Sequence, residues 1–317
     1  MRRNEKLSGW PKWVLDSPNP AAVETREFLE TCFANIREEK RARLLERLRS
    51  GDTDNVDASL RELVAHELFR RLHLEPEFEP KVGAGLTPDM MAKVADHECI
   101  VDVFLTRNPS RTIKKTLPGS LLDLPKDSQY TVDAGERAKK VRDTILEKHQ
   151  KYSATGKPMI LVVFLGDHWV EMGDVQRALY GASLADAWLR DDFPNGMANF
   201  RKEVVSMHRE PPAGGAMLPD DRGQPGCPSL SAVIACDWFY TLNRSRPGKR
   251  LSCLVLHHWK PHVPIPAGHF GQFPEVAWSP ERSGSYMYTI RNSLCTVAKF
   301  TGADEVEFAA YSGDNPW

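Results

Sequence analysis

Two aspartates stand where an acidic side chain can do chemistry. Asp89 closes the turn-forming segment Thr87-Pro88-Asp89, and Asp102 interrupts the apolar run Cys99-Ile100-Val101-Asp102-Val103-Phe104-Leu105. A carboxylate inside a buried strand is costly unless it is paired or binds a cation. On neighbouring strands the two would form a site for a hard divalent ion such as Mg2+ or Mn2+, which takes oxygen ligands and keeps room for water and phosphate. An ion held this way polarises a phosphodiester and activates the attacking water. The same chemistry uses a lysine to orient that water or to stabilise the developing charge. Lys148 is the candidate. Ala138, Val141, Ile145, Lys148 and Tyr152 fall on one helical stripe, and Lys148 takes a place where the pattern asks for an apolar residue. It either snorkels to the rim or reaches carboxylates on the sheet.

The elements that must position these groups are legible from periodicity. Residues 22–50 read as one charged amphipathic helix, ended by Gly51-Asp52-Thr53-Asp54. A second helix runs from about Asp57 to Leu72, with Asp57 or Ser59 as its cap. It offers two acids. Glu67 falls inside the apolar arc between Leu60 and Leu63, Glu62 lies at its edge near Phe69, and spacing alone does not choose between them. A short strand is expected over Glu77–Val82, a turn at Gly83-Ala84-Gly85, a hairpin turn at Ala95-Asp96-His97, and a strand over Glu98–Thr106. Alternation then puts Cys99, Val101, Val103 and Leu105 on one face, with Ile100, Asp102 and Phe104 on the other. A helix over Asp133–Tyr152 leads through Lys157-Pro158 into Met159–Leu165, the best buried-strand candidate. Strands are expected at Leu230–Trp238 and Leu251–His258, and a less regular tail from Pro261. Interleaved helices and strands predict an α/β class, with α/β/α layers around a central mixed sheet.

These pieces resemble the PD-(D/E)XK nuclease superfamily. The matching parts are the helix Glu62-Leu63-Val64-Ala65-His66-Glu67-Leu68, the half-motif Thr87-Pro88-Asp89, the second half Val101-Asp102-Val103-Phe104, and the helix end Glu147-Lys148-His149-Gln150-Lys151-Tyr152 with the strand after it. The resemblance implies a restriction-endonuclease-like core over residues 56–260, with an insertion near 170–228. A helical extension (1–55) precedes that core, and a C-terminal extension (261–317) packs on it. It implies that Asp89, Asp102 and Glu62 bind Mg2+ or Mn2+ and that Lys148 serves catalysis. DNA is the implied substrate, in restriction, phage defence or repair, with a homodimer or a defence-system partner protein as further assemblies. One departure matters: the family's lysine stands two residues after the second acid, and here that residue is Phe104. Lys148, or else Lys151, would be a migrated lysine; otherwise the fold is an inactive module that binds nucleic acid or a partner.

Plainer readings stand beside these. Pro-Asp is a common turn former, many helical glutamates are merely solvated, and Asp102 could be a salt-bridged core residue. His257, His258, His262 and His269 have the spacing of a loop at a strand end more than that of a zinc site. Arg107 to Lys115, and Lys139, Lys140 and Arg142, read as solvated basic faces. Trp238, Phe239 and Tyr240 could stack on bases, but core use accounts for them. With 42 Lys+Arg against 43 Asp+Glu, no global field pulls the chain toward nucleic acid. The six cysteines form no Cys-x-x-Cys pair, which fits a reducing, cytoplasmic compartment. No signal peptide is expected after Met1-Arg2-Arg3, and the run 159–165 is far too short to span a bilayer.

Overall fold

The longest apolar runs of the chain become its central strands. In the computed structural model, residues 18, 20–106, 134–165, 172–181, 204–207, 215–220, 222–238, 250–280, 286–292, 296–301 and 304–310 are described. Strand β4 (Met159–Phe164) is buried at every position. It lies parallel to β3 (His97–Leu105) on one side and to β6 (Leu230–Trp238) on the other. Burial on both faces is what an unbroken apolar run permits.

Outward from β3, β2 (Met90–Val94) and β1 (Glu77–Phe78) add antiparallel. The β2–β3 hairpin turns on Ala95 and Asp96, whose φ values of 50° and 65° suit the twist of a two-residue turn. Beyond β6, β7 (Arg250–His257) pairs antiparallel. The far edge of β7 is shared. Its end takes β8 (Glu275–Pro280) in parallel, while its start takes β10 (Thr296–Thr301) antiparallel. Strands β9 (Tyr286–Arg291) and β5 (Val204–Met207) continue from β8, and β11 (Glu305–Ala310) from β10. The sheet is therefore mixed, and the class is α/β.

Two apolar layers cover it. Helices α1 (Pro20–Ala34), α2 (Glu38–Leu48) and α3 (Thr53–Arg71) carry Phe28, Leu44, Leu60 and Leu68 onto the face formed by Cys99, Val101 and Val103. Helix α4 (Ala134–Tyr152) and helix α5 (Met172–Tyr180) cover the opposite face with Val141, Ile145, Tyr152 and Leu179 against Ile100, Leu161 and Val163. Alternation along β3 thus divides its side chains between the layers as expected, with Asp102 and Phe104 on the α4 side.

Four local expectations are corrected. The helix foreseen over 22–50 is two helices, broken at Asn35-Ile36-Arg37. Arg41 stabilises the break by donating to the carbonyls of Ala34 and Ile36 at 2.6 and 2.7 Å. Charged residues flank the break on both sides, so periodicity passes through it. Helix α3 begins a turn earlier than expected, capped by Asp52, whose carboxylate accepts from the Asp54 N–H at 2.9 Å. The strand at Glu77 ends after Phe78, because Glu79 turns the chain at φ 44°. The tail is not irregular: it supplies β8 to β11, whose Pro- and Gly-rich connections obscure their short length.

Candidate metal site

The acids and the lysine converge at the β2–β3 end of the sheet. Asp102 is 1% exposed. Its Oδ2 lies 2.7 Å from Nζ of Lys148. At that distance the ammonium is the charge partner of the buried Oδ2. Oδ1 accepts from the Tyr152 hydroxyl at 3.3 Å. Lys148 and Tyr152 are one helical turn apart on the inner stripe of α4, which is why both reach the same aspartate. Burial opposes the charge of Lys148, but the adjacent Asp102 and the nearby Asp89 outweigh it and raise the ammonium pKa. Burial also raises the Tyr152 phenol, and the two aspartates push it further.

Asp89 sits at the mouth of β2. Its Oδ2 accepts from the Val103 N–H at 2.7 Å, which ties it to the strand residue next to Asp102. Its carboxyl is pushed well above the usual range by burial, then by the charges of Asp102 and Glu62, despite that hydrogen bond. Several carboxylates crowd one place with too little positive charge between them.

Glu62 and Glu67 separate in space. Glu67 is 0% exposed and is consumed by structure: it accepts from Asn35, Arg70 and Arg71, and Arg71 in turn donates to the carbonyls of Thr301 and Glu305. Glu62 lies near enough to the aspartates for their charges to act on one another. It is buried, which raises its pKa; Arg47 of α2 counters this, while Glu79 and Asp102 add to it. Both Glu62 oxygens accept from Arg47, with Oε1 at 3.0 Å.

Two participants were not found by sequence reasoning. Glu79 is 6% exposed. Its carboxylate pairs with Arg47 at 3.2 Å and Arg43 at 3.4 Å, and its N–H donates to the Asp89 carbonyl at 2.8 Å. Arg47 bridges Glu62 and Glu79. The only trace of either in the sequence is an acid beside Pro80 and a basic residue next to Leu48; neither pattern is specific. The site thus comprises Glu62, Glu79, Asp89 and Asp102 with Arg47, Lys148 and Tyr152.

Among the described residues, no three His, Cys, Asp or Glu side chains are arranged as a ready-made metal cage. Asp89 and Asp102 supply hard oxygens, with Oδ2 of Asp102 against the Lys148 ammonium, while Glu62 is held by Arg47. Two carboxylates are the ligand type that a divalent ion completed by water and phosphate would take. Position 104, two residues past Asp102, is filled by Phe104, which packs in the α4-side core.

The histidines do other work. His257 pairs with Glu275 at 2.8 Å, and His258 bonds the Gly226 carbonyl and accepts from the Lys260 N–H at 2.9 Å. Arg61 lies over the Trp238 ring, 5.2 Å from its centroid. Lys139 and Lys140 are exposed, and Arg142 meets Asp143 at 3.4 Å. The stretch Arg107–Lys115, with Phe239 and Tyr240, lies outside the described residues. Among the described residues no helix is long and apolar enough to cross a membrane. No family model, curated protein or solved structure matches the chain.

Proposed function

We propose that the chain is a divalent-metal-dependent endonuclease of the PD-(D/E)XK type, hydrolysing DNA phosphodiester bonds. The observation that carries this reading is the 2.7 Å approach of Lys148 to Asp102 beside Asp89. It supplies from a helix the cation that Phe104 displaced from the strand. The order α3-β1-β2-β3-α4-β4, in which one helix precedes the acid-bearing strands and the lysine-bearing helix follows them, supports the reading further.

Asp89 and Asp102 would hold Mg2+ or Mn2+, with Glu62 at their side. When bound, the ion polarises the phosphate and lowers the pKa of the attacking water. The chain's own groups do the rest. The Val103 N–H and the Tyr152 hydroxyl fix one oxygen of each aspartate. Arg47 holds Glu62 by both oxygens. Lys148 stays protonated and close enough to orient the nucleophilic water or to stabilise charge on the phosphate. On this reading the chain acts as a cytoplasmic enzyme of restriction, phage defence or repair, alone, as a homodimer, or with a defence-system partner protein.

Phe104, together with the capture of Glu62 by Arg47, favours a second reading: an inactive nuclease fold that binds nucleic acid or a partner. Incubation with plasmid and linear DNA in Mg2+ or Mn2+ separates the two. The nuclease reading expects cleavage that EDTA abolishes and that Asp89→Asn and Asp102→Asn each remove. Equal cleavage by all three proteins would sink the site assignment. DNA binding without cleavage would select the inactive module.

A further inference from the structure

Helix α2 presents three cations beside its buried stripe of Leu44 and Leu48: Lys40, Arg43 and Arg47. Spacings of three and four residues keep them in line, and Arg37 at the N-cap extends the row. At its inner end Arg47 grips Glu62 and Glu79 in the site. Farther out, Arg43 lies 3.4 Å from Glu79, Lys40 donates to the neutral Glu79 carbonyl at 2.6 Å, and Arg37 lies 3.9 Å from Glu77. The side chains of Arg43 and Arg37 stay 65% and 67% exposed. The Arg37–Glu77 pair, exposed on both sides, contributes little stability, whereas Arg43 and Arg47 both meet a Glu79 side chain that is 7% exposed. Arg37, Arg43 and Arg47 are matched by Glu77, Glu79 and Glu62, so the positive charge in excess along the ridge is that of Lys40, which bonds a neutral carbonyl.

We infer that this ridge is a track for the phosphate backbone of duplex DNA, leading one strand into the Asp89/Asp102 site. From Arg37 to Arg47 the helix rises about 15 Å, the reach of about four nucleotides at about 3.4 Å each along a strand. Arg37 exchanges its solvated pair with Glu77 for a phosphate, and Arg43 exchanges its 3.4 Å contact with a Glu79 that Arg47 continues to hold; Arg47, already engaged, marks where the track meets the site. The destination of the strand rests on the nuclease reading, whereas binding to the ridge requires no cleavage.

The test uses the full chain and a fluorescein-labelled DNA duplex. Binding is followed by anisotropy across a KCl series, in EDTA and again with Ca2+. Each phosphate neutralised adds about 0.9 to the steepness of log K against log salt. Arg37→Gln/Arg43→Gln is expected to flatten the slope by about 1.8 and to weaken binding at least about tenfold at low salt. Arg43→Lys, which keeps the charge, retains the slope and shows that a fold defect is not the cause. Lys139→Gln/Lys140→Gln, on the exposed face of α4, also retains it. An unchanged slope in the Arg37/Arg43 variant, an equal loss in the Lys139/Lys140 variant, or no duplex binding by the wild type in either buffer overturns the proposal. If the slope changes as expected while no metal supports cleavage, the track stands and the nuclease reading fails.

Discussion

Replacing Lys148 with methionine tests the centre of the site on two independent scales. The ammonium lies 2.7 Å from Asp102 Oδ2, and the side chains are 24% and 1% exposed. At an effective dielectric of about 20, that separation corresponds to about 6 kcal/mol of raw attraction. Most of it offsets the desolvation of Asp102. Breaking such a pair from one side costs about 3–5 kcal/mol when both partners are buried; the exposed quarter of the lysine reduces this to about 2–4 kcal/mol. Urea denaturation in EDTA, free of any metal contribution, is the assay. Lys148→Met should lose that much, and Lys148→Met/Asp102→Asn should regain most of it, with a coupling energy of about 2 kcal/mol in the double-mutant cycle. On the activity scale, Lys148→Met should lower DNA cleavage at saturating Mg2+ by about 100-fold or more. A variant within about 0.5 kcal/mol of the wild type, or additive effects in the cycle, would refute the ion pair. Full cleavage by Lys148→Met, with Asp102→Asn inactive, would remove the lysine from the mechanism while keeping the metal site.

Further outcomes follow from the same structure. Arg47→Gln leaves Glu62 and Glu79 buried without their shared cation and should cost about 2–4 kcal/mol in urea denaturation, with Arg47→Gln/Glu62→Gln recovering part of it. Glu67→Gln should destabilise the fold by a similar amount, since it disturbs the buried Arg71 network, yet leave the cleavage rate of the folded fraction unchanged; a rate loss matching that of Asp102→Asn would place Glu67 in the site instead. His66 is buried beside Phe78, and burial lowers its pKa from 6.5 to about 4. Between these values the unfolded chain binds the proton and the folded chain does not, so this contribution is intact above about pH 6.5 and declines as pH falls toward about 4, by up to about 3 kcal/mol. His66→Phe should flatten that part of the stability–pH curve; an unchanged curve would exclude His66 as its source. The cysteines at positions 32, 99, 227, 236 and 253 are buried, so they should resist a thiol-specific reagent in native protein and react after denaturation.

Much of the scaffold was written in local pattern. The apolar runs of β3, β4 and β6 could satisfy their side chains only between two layers, which made a mixed α/β sheet legible. Period two placed Asp102 and Phe104 on one face, and the helical period placed Lys148 and Tyr152 on one stripe. Because α4 leads directly into the strand beside β3, that stripe had to meet Asp102. What periodicity could not choose was the pairing of charges between distant segments. Glu62 and Glu67 share a helix and differ only in what stands opposite: Arg71 with the C-terminal strands for Glu67, and Arg47 with the acid cluster for Glu62. Glu79 and Arg47 belong to a turn and a basic helix that local spacing treats as solvated. Only the packing of α2 on α3, beside the turn after β1, removes them from water, and burial is what turns ordinary surface charges into partners that fix one another. The residue types for the proposed metal site were therefore present in the sequence, but the balance of acids and cations around Asp102 was decided by the tertiary fold.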